Sequence, residues 1–133
     1  MTTDEKTTAE IRALVERTYA AMSTPGGDVA SVFGAADVAV AGSDLQELMY
    51  GPEEVVPVAQ HIASTARLWV PATVTVWSRG DVAWAQVLGH VRVAGRKGSE
   101  DVPYWTTGVF GRTGDGWEWL YWGGSEPQED PRV

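Results

Sequence analysis

Two histidines, four tyrosines and no cysteine bound the chemistry open to this chain of 133 residues. Without cysteine there is no disulfide, no thiolate metal site and no thiol nucleophile. The histidines, His61 and His90, are far apart, and no HExxH or EF-hand spacing accompanies them, so no bound metal is expected. There is no GxSxG elbow and no Walker loop either. Acid–base and hydrogen-bonding chemistry by side chains alone is what remains, and no cofactor is expected. His90 alternates with Gln86 and Trp84 along an apolar run, a place from which an imidazole can carry a proton into a pocket. Tyr19 lies at the edge of a helical apolar stripe. Its phenol either reaches a pocket rim, donating to a ligand carbonyl, or stays in the core with its hydroxyl satisfied locally. His61 falls off the stripe of its own helix and reads as exposed. Arg79-Gly80-Asp81 spells an adhesion tripeptide, but it stands between two strand patterns and reads as a hairpin turn.

The elements that position these groups follow from period and punctuation. Thr7-Thr8-Ala9-Glu10 matches a capping box, and behind it Ile11, Leu14, Val15, Thr18, Tyr19 and Met22 fall at helical spacing. Ser23-Thr24-Pro25-Gly26-Gly27 stops that helix, and Asp28 is expected to cap a short second one bearing Val29, Val32 and Phe33. Asp37 to Ala41 and Leu48 to Tyr50 read as short strands, with Gly42-Ser43-Asp44 as a loop. Gly51-Pro52-Glu53-Glu54 opens a third helix with stripe Val55, Val58, Ala59, Ile62 and Ala66; Pro57 suggests that its regular part starts late. From Leu68 the period becomes two. Leu68, Val70, Ala72, Val74 and Val76 alternate with Trp69, Thr73, Thr75 and Trp77. A strand from Val82 to Val93 follows, then a loop from Ala94 to Pro103.

The last hairpin, YWTTGVFGRTGDGWEWLYWGGSEP from Tyr104 to Pro127, holds four of the seven tryptophans. Its turn Thr113-Gly114-Asp115-Gly116 carries Asp-Gly, a strong hairpin signal. Pairing Arg112 with Trp117 puts Phe110 opposite Trp119 and Gly108 opposite Tyr121. Tyr104, Thr106, Phe110, Trp117, Trp119 and Tyr121 then share one face, and Trp105, Thr107, Val109, Leu120 and Trp122 the other. A slip of one residue would exchange the faces. So much aromatic surface must cover a ligand, a partner or helices.

Helices followed by a meander of strands argue for an α+β fold, with helices on one face of a curved antiparallel sheet. A single domain over residues 1–133 is expected, with loose ends near 1–6 and 127–133. The formal charge is −8, and the lone basic pair Arg96-Lys97 is followed by Glu100 and Asp101, so neither nucleic acid nor an anionic membrane is expected as a partner. The polar, acidic start does not read as a secretory signal, and a cytoplasmic location is the expectation. Trp69 and Trp77, alternating against an aliphatic face, and Trp105 and Trp122, opposing the pocket face, read as outer-face aromatics and predict a homodimer through sheet faces.

Three local patterns in this order, covering roughly Thr7 to Pro127, resemble the nuclear transport factor 2-like superfamily and its SnoaL-like branch. They are Asp28 to Phe33 followed by DVAVAGSD, then Tyr50-Gly51-Pro52-Glu53-Glu54, then the closing TTGVFGRTGDGWEWLYWGGSEP. The resemblance implies a cone, in which a bent sheet wraps a long helix around an apolar pocket, and dimerisation through the outer sheet face. Its members include isomerases, cyclases and epoxide hydrolases alongside non-catalytic domains, so the fold does not settle the function. The isomerase branch places a general base near Asp44 and uses a phenol such as Tyr19 as oxyanion stabiliser; Asp44 reads equally as a solvated loop residue. Many relatives show histidines near the positions of Tyr121 and Gly123, and this chain has neither. The pocket candidates are Tyr19, Tyr104, Thr106, Phe110, Trp119 and Tyr121, and the catalytic candidates Asp44, His90 and Tyr19. A small hydrophobic ligand held in an aromatic-lined pocket is one reading. The other is a metal-independent isomerase, cyclase or lyase acting on a hydrophobic carbonyl compound.

Overall fold

The computed structural model describes residues 4–129. Helix α1, Glu5–Met22, buries the predicted stripe of Ile11, Leu14, Val15, Thr18, Tyr19 and Met22. It begins a turn earlier than the capping box implied. Asp4 is the N-cap: its carboxylate accepts from the Thr7 N–H at 2.7 Å and from the Thr7 hydroxyl at 3.0 Å. A carboxylate at this point satisfies a free N–H and faces the positive end of the helix, which a threonine cannot match. Residues 1–3 and 130–133, part of the expected loose ends, lie outside the described residues.

The expected helix after Asp28 is only one turn. Asp28 accepts from the Ser31 N–H and Phe33 donates to the Val29 carbonyl, but no regular helix follows. Val29, Val32 and Phe33 are nonetheless buried. Strands β1, Ala39–Ala41, and β2, Leu48–Tyr50, lead to α2, Pro52–Ser64. Pro57 sits inside a continuous helix rather than starting one. The N–H it lacks would have met a carbonyl of the first turn, where water can substitute. Val55, Ala59 and Ala63 are the buried residues of α2; Ala66 lies beyond its end.

Four long strands follow: β3, Leu68–Arg79; β4, Val82–Gly95; β5, Gly98–Thr113; and β6, Gly116–Ser125. The predicted loop from Ala94 to Pro103 is instead a tight hairpin at Arg96-Lys97, with Gly98 at φ 109°. The sheet runs β2-β1-β6-β5-β4-β3, antiparallel except that β1 lies parallel to β6. It curves around α1 without closing, giving the α+β cone. Arg12 ties α1 to β3 by donating to the Val74 carbonyl at 2.9 Å.

Two bulges break the alternation. In β3, Pro71 and Ala72 together oppose Gly89 of β4. In β6, Leu120 is an extra residue between the pairs Phe110–Trp119 and Val109–Tyr121. Each bulge reverses which side of the sheet the following side chains face. Trp69 thereby joins Val74 and Val76 on the inner side, and Trp122 joins Trp117 and Trp119. The predicted pairs Arg112–Trp117 and Phe110–Trp119 hold, but Gly108 faces Trp122 rather than Tyr121. Among the described residues no helix is long and apolar enough to cross a membrane.

At the first bulge the backbone of β3 closes on β4, and a Cβ at Gly89 would overlap the Val70 carbonyl oxygen. Gly89→Ala is therefore expected to lower stability by about 1–3 kcal/mol, the range for forced overpacking. Gly116→Ala, whose new methyl would meet open space, is the control. Equal urea midpoints for the two variants would contradict this account of the bulge.

Candidate functional site

A cavity of about 460 Å³ opens at the end of the sheet where α2 and the β1–β2 loop cross it. Its apolar walls come from Met22, Val40, Met49, Val55, Val58 and Ile62, with Val91 and Val93 from β4. The aromatic wall is Trp69, Tyr104, Trp122 and Phe33. Trp69 meets Tyr104 edge-on at 4.9 Å between ring centres, and both lie 6.3 Å from Trp122. Pairs in such geometry contribute about 0.5–1.5 kcal/mol each beyond buried area, so this wall is fixed before any ligand arrives.

Polar groups are few. The Trp122 indole donates to the Tyr104 hydroxyl at 3.2 Å, which leaves the phenolic proton free for another acceptor. Burial is the main cause that pushes the Tyr104 phenol above its ordinary range. The Trp122 N–H opposes it, the Glu47 charge adds to it, Ser43 opposes it and the Glu126 charge adds again. A neutral donor at physiological pH is the result. The buried indole N–H of Trp69 has no partner among protein atoms. Glu47 is held by its own loop: Gly42 donates to the Glu47 carbonyl at 2.8 Å, and the Asp44 N–H donates to its carboxylate at 3.0 Å. Ser43, Glu47, His61, Thr65, Arg67 and Glu126 are the other polar residues of the lining. Among the described residues no group of three or more metal-binding side chains occurs.

The residues expected at the site divide between three places. Tyr104 lines the cavity. Tyr19, Thr106, Phe110 and Trp119 lie within the core, outside the cavity lining, at 0–2% exposure. The Tyr19 hydroxyl is bonded to Thr106 at 2.6 Å, so its core alternative is the one observed. The Trp119 indole donates to the Thr18 hydroxyl at 2.9 Å. Tyr121 faces outward, 37% exposed, because the Leu120 bulge turns Trp122 inward in its place. Asp44 is exposed, accepting from the Gln46 N–H, and does not line the cavity. His90 is on the outer sheet face, 3.6 Å from Asp101, and cannot carry a proton inside. The reading of Trp69 and Trp122 as outer-face residues is likewise corrected.

Trp69, Trp122, Glu47 and Arg67 were missed. For the tryptophans the signals were present. Trp117 and Trp119 are two apart but Trp119 and Trp122 are three apart, and Pro71 interrupts an alternating run; either pattern marks a bulge. Glu47 and Arg67 had no signal, since loop geometry alone brings them to the mouth.

Burial also pushes the Tyr19 phenol far above its ordinary range, only partly offset by Thr106. The ordinary value is about 10. The folded state holds this proton more tightly than the unfolded chain does. Its stabilising contribution is therefore complete below about pH 10 and is lost as pH rises through the raised folded value. Stability in urea should fall above about pH 10, and Tyr19→Phe should flatten that fall while losing about 1 kcal/mol at neutral pH. An unchanged alkaline slope in Tyr19→Phe would count against the assignment.

Comparison with known proteins agrees with this fold. The SnoaL-like domain model matches residues 11–129. No curated protein sequence matches the chain. Among solved structures, a candidate dehydratase of the nuclear transport factor 2-like family from Streptomyces avermitilis superposes with a TM-score of 0.81 at 18% identity, covering 95% of this chain and 100% of that one. A nuclear transport factor 2-like protein of unknown function from Pseudomonas putida gives 0.78 at 18% identity, covering 98% and 94%. A candidate calcium/calmodulin-dependent protein kinase II association domain from Xanthomonas campestris gives 0.75 at 20% identity, covering 91% and 88%. With the family model spanning nearly the whole described cone, the chain belongs to the SnoaL-like domain family of the nuclear transport factor 2-like superfamily.

Proposed function

We propose that this cone binds a small, flat, hydrophobic molecule in the mouth cavity. The observation that carries the reading is the wall of Trp69, Tyr104 and Trp122 around a cavity of about 460 Å³, within the usual range of about 300–1,000 Å³ for small-molecule sites. Apolar walls supply affinity. The Tyr104 O–H supplies orientation, which favours a ligand carrying a carbonyl or ether oxygen. We place the protein in the cytoplasm by default.

Titration with 2-acetylnaphthalene should quench tryptophan fluorescence, and Val58→Trp, which fills the cavity, should abolish the quenching with the fold retained. Tyr104→Phe should weaken the ketone about two- to tenfold, the value of one hydrogen bond, and leave 2-ethylnaphthalene unaffected. Quenching that survives Val58→Trp would refute the site.

A catalytic reading has one specific observation behind it: Glu47 is a restrained carboxylate whose charge acts on the neutral Tyr104 phenol in the same cavity. A carboxylate base with a phenol donor is a sufficient set for proton transfer beside a carbonyl, and a structural neighbour is described as a candidate dehydratase. Deuterium exchange at the methyl group of bound 2-acetylnaphthalene tests it. The reading requires exchange in the wild type and its loss in Glu47→Gln; no exchange leaves binding alone.

The outer face supports self-association. Trp77, Trp84, Val109, Tyr121, Ala39 and Tyr50 are successive cross-strand partners, forming one apolar row across all six strands. Trp105 and Leu88 pair in a parallel row. Its large aromatics are 36–64% exposed, and a patch of this extent on a lone chain marks an interface. A second copy meeting it face to face satisfies two-fold symmetry. Light scattering should give twice the mass of one chain, and Trp84→Glu with Tyr121→Glu should halve it; a monomeric wild type overturns the proposal.

A further inference from the structure

The cavity mouth is electrically divided. Arg67 lines it at the start of β3, one edge of the sheet, and His61 lines it from the last turn of α2. Glu47 lines it just before β2, the other edge, and Glu126 follows β6. Arg67 makes no ion pair among the described residues, where the three pairs found involve His90, Arg92 and Arg112. Its placement depends on a backbone conformation that L-residues avoid. Ala66, just past the α2 C-cap Thr65, is the one non-glycine among the described residues with positive φ, at 55°. Glycine usually takes this position, because it has no Cβ to clash. Strain of this kind persists only where the surroundings impose it; here it falls where the chain turns from α2 into β3, next to Arg67 at the cavity.

A guanidinium at the lip of an apolar pocket offers a planar fork of N–H donors, matched to a carboxylate and strengthened by the low dielectric beside it. Glu47 and Glu126 at the same mouth raise the cost of a second negative charge, so a dianionic phosphate ester is disfavoured. They also drive an anionic head toward the Arg67 edge. The opposite end of the ligand then lies by Tyr104, which has a proton to donate.

We infer that the cavity selects an amphipathic monocarboxylate: its carboxylate on Arg67 beside His61, its apolar body against Trp69, Trp122 and the α2 side chains, and a hydrogen-bond acceptor at Tyr104. This deepens the binding reading and rests on it. Isothermal titration of 6-acetyl-2-naphthoate, its carboxamide and 6-acetyl-2-naphthyl phosphate distinguishes the two. The carboxylate is expected to bind about tenfold more tightly than the amide, the size of one charge-assisted hydrogen bond, and more tightly than the phosphate. Arg67→Gln should bring the carboxylate down to the amide while leaving the amide unchanged, and Arg67→Lys should restore part of the difference. Equal affinity for carboxylate and amide, or equal weakening of both by Arg67→Gln, overturns the inference and leaves the pocket standing. Failure of all three probes to bind removes the pocket reading and the inference with it.

Discussion

Two β-bulges decide what this sheet encloses. A strand that alternates without interruption sends every second side chain to the same side, and by that rule Trp69 and Trp122 would stand in solvent. The extra residues at Pro71-Ala72 and at Leu120 shift the phase once in β3 and once in β6. Each shift brings one tryptophan inside, and the two meet Tyr104 and each other. The same shifts bend the strands, which is how a six-stranded sheet wraps a helix without closing into a barrel. Curvature and cavity lining are thus one structural event rather than two.

Behind that wall, α1 is fastened to the sheet by hydrogen bonds that have no access to water. Thr18 accepts from the Trp119 indole and donates to the Leu14 carbonyl, and Tyr19 is bonded to Thr106. Pairs of this kind fix the rotation of the helix, because a turn about its axis would strand several buried polar groups together. Trp119 and Phe110, with ring centres 4.5 Å apart, fill the space around them. The groups that looked most chemical in the sequence are in good part this fastening. Their polarity is spent inside the fold, while the groups at the mouth keep theirs unspent.

The two faces of the sheet divide the remaining work. The inner face is closed by α1 at one end and leaves the cavity at the other. The outer face carries the row from Trp77 to Tyr50 and, at its margin, the Arg92–Asp101 pair with His90 beside it. Exposed ion pairs of this sort contribute little stability. Set beside an apolar row, they frame it with polar groups, as a rim does around the dry centre of an interface. Because each bulge sends one tryptophan inward, the outer row is set by the same two events that build the pocket.

The sequence by itself determined the α1 stripe, the change from period 3.6 to period 2, the turn at Gly80-Asp81, and the first cross-strand pairs of the final hairpin. These are local: they depend on residues a few positions apart and on glycine or proline at a turn. It also excluded disulfides and thiol chemistry outright. Tertiary structure alone decided which aromatics face the cavity, because facing is a running count along a strand and one inserted residue reverses everything beyond it. The uneven tryptophan spacing and Pro71 hinted at the interruptions without fixing their consequences. Glu47 and Arg67 had no local mark at all. They stand about twenty residues apart on different elements, and only the closing of α2 over the sheet brings them to one mouth. Asp44 and Glu47 are three residues apart in one loop, and the hydrogen bond from the backbone of the first to the carboxylate of the second helps hold the second at the cavity.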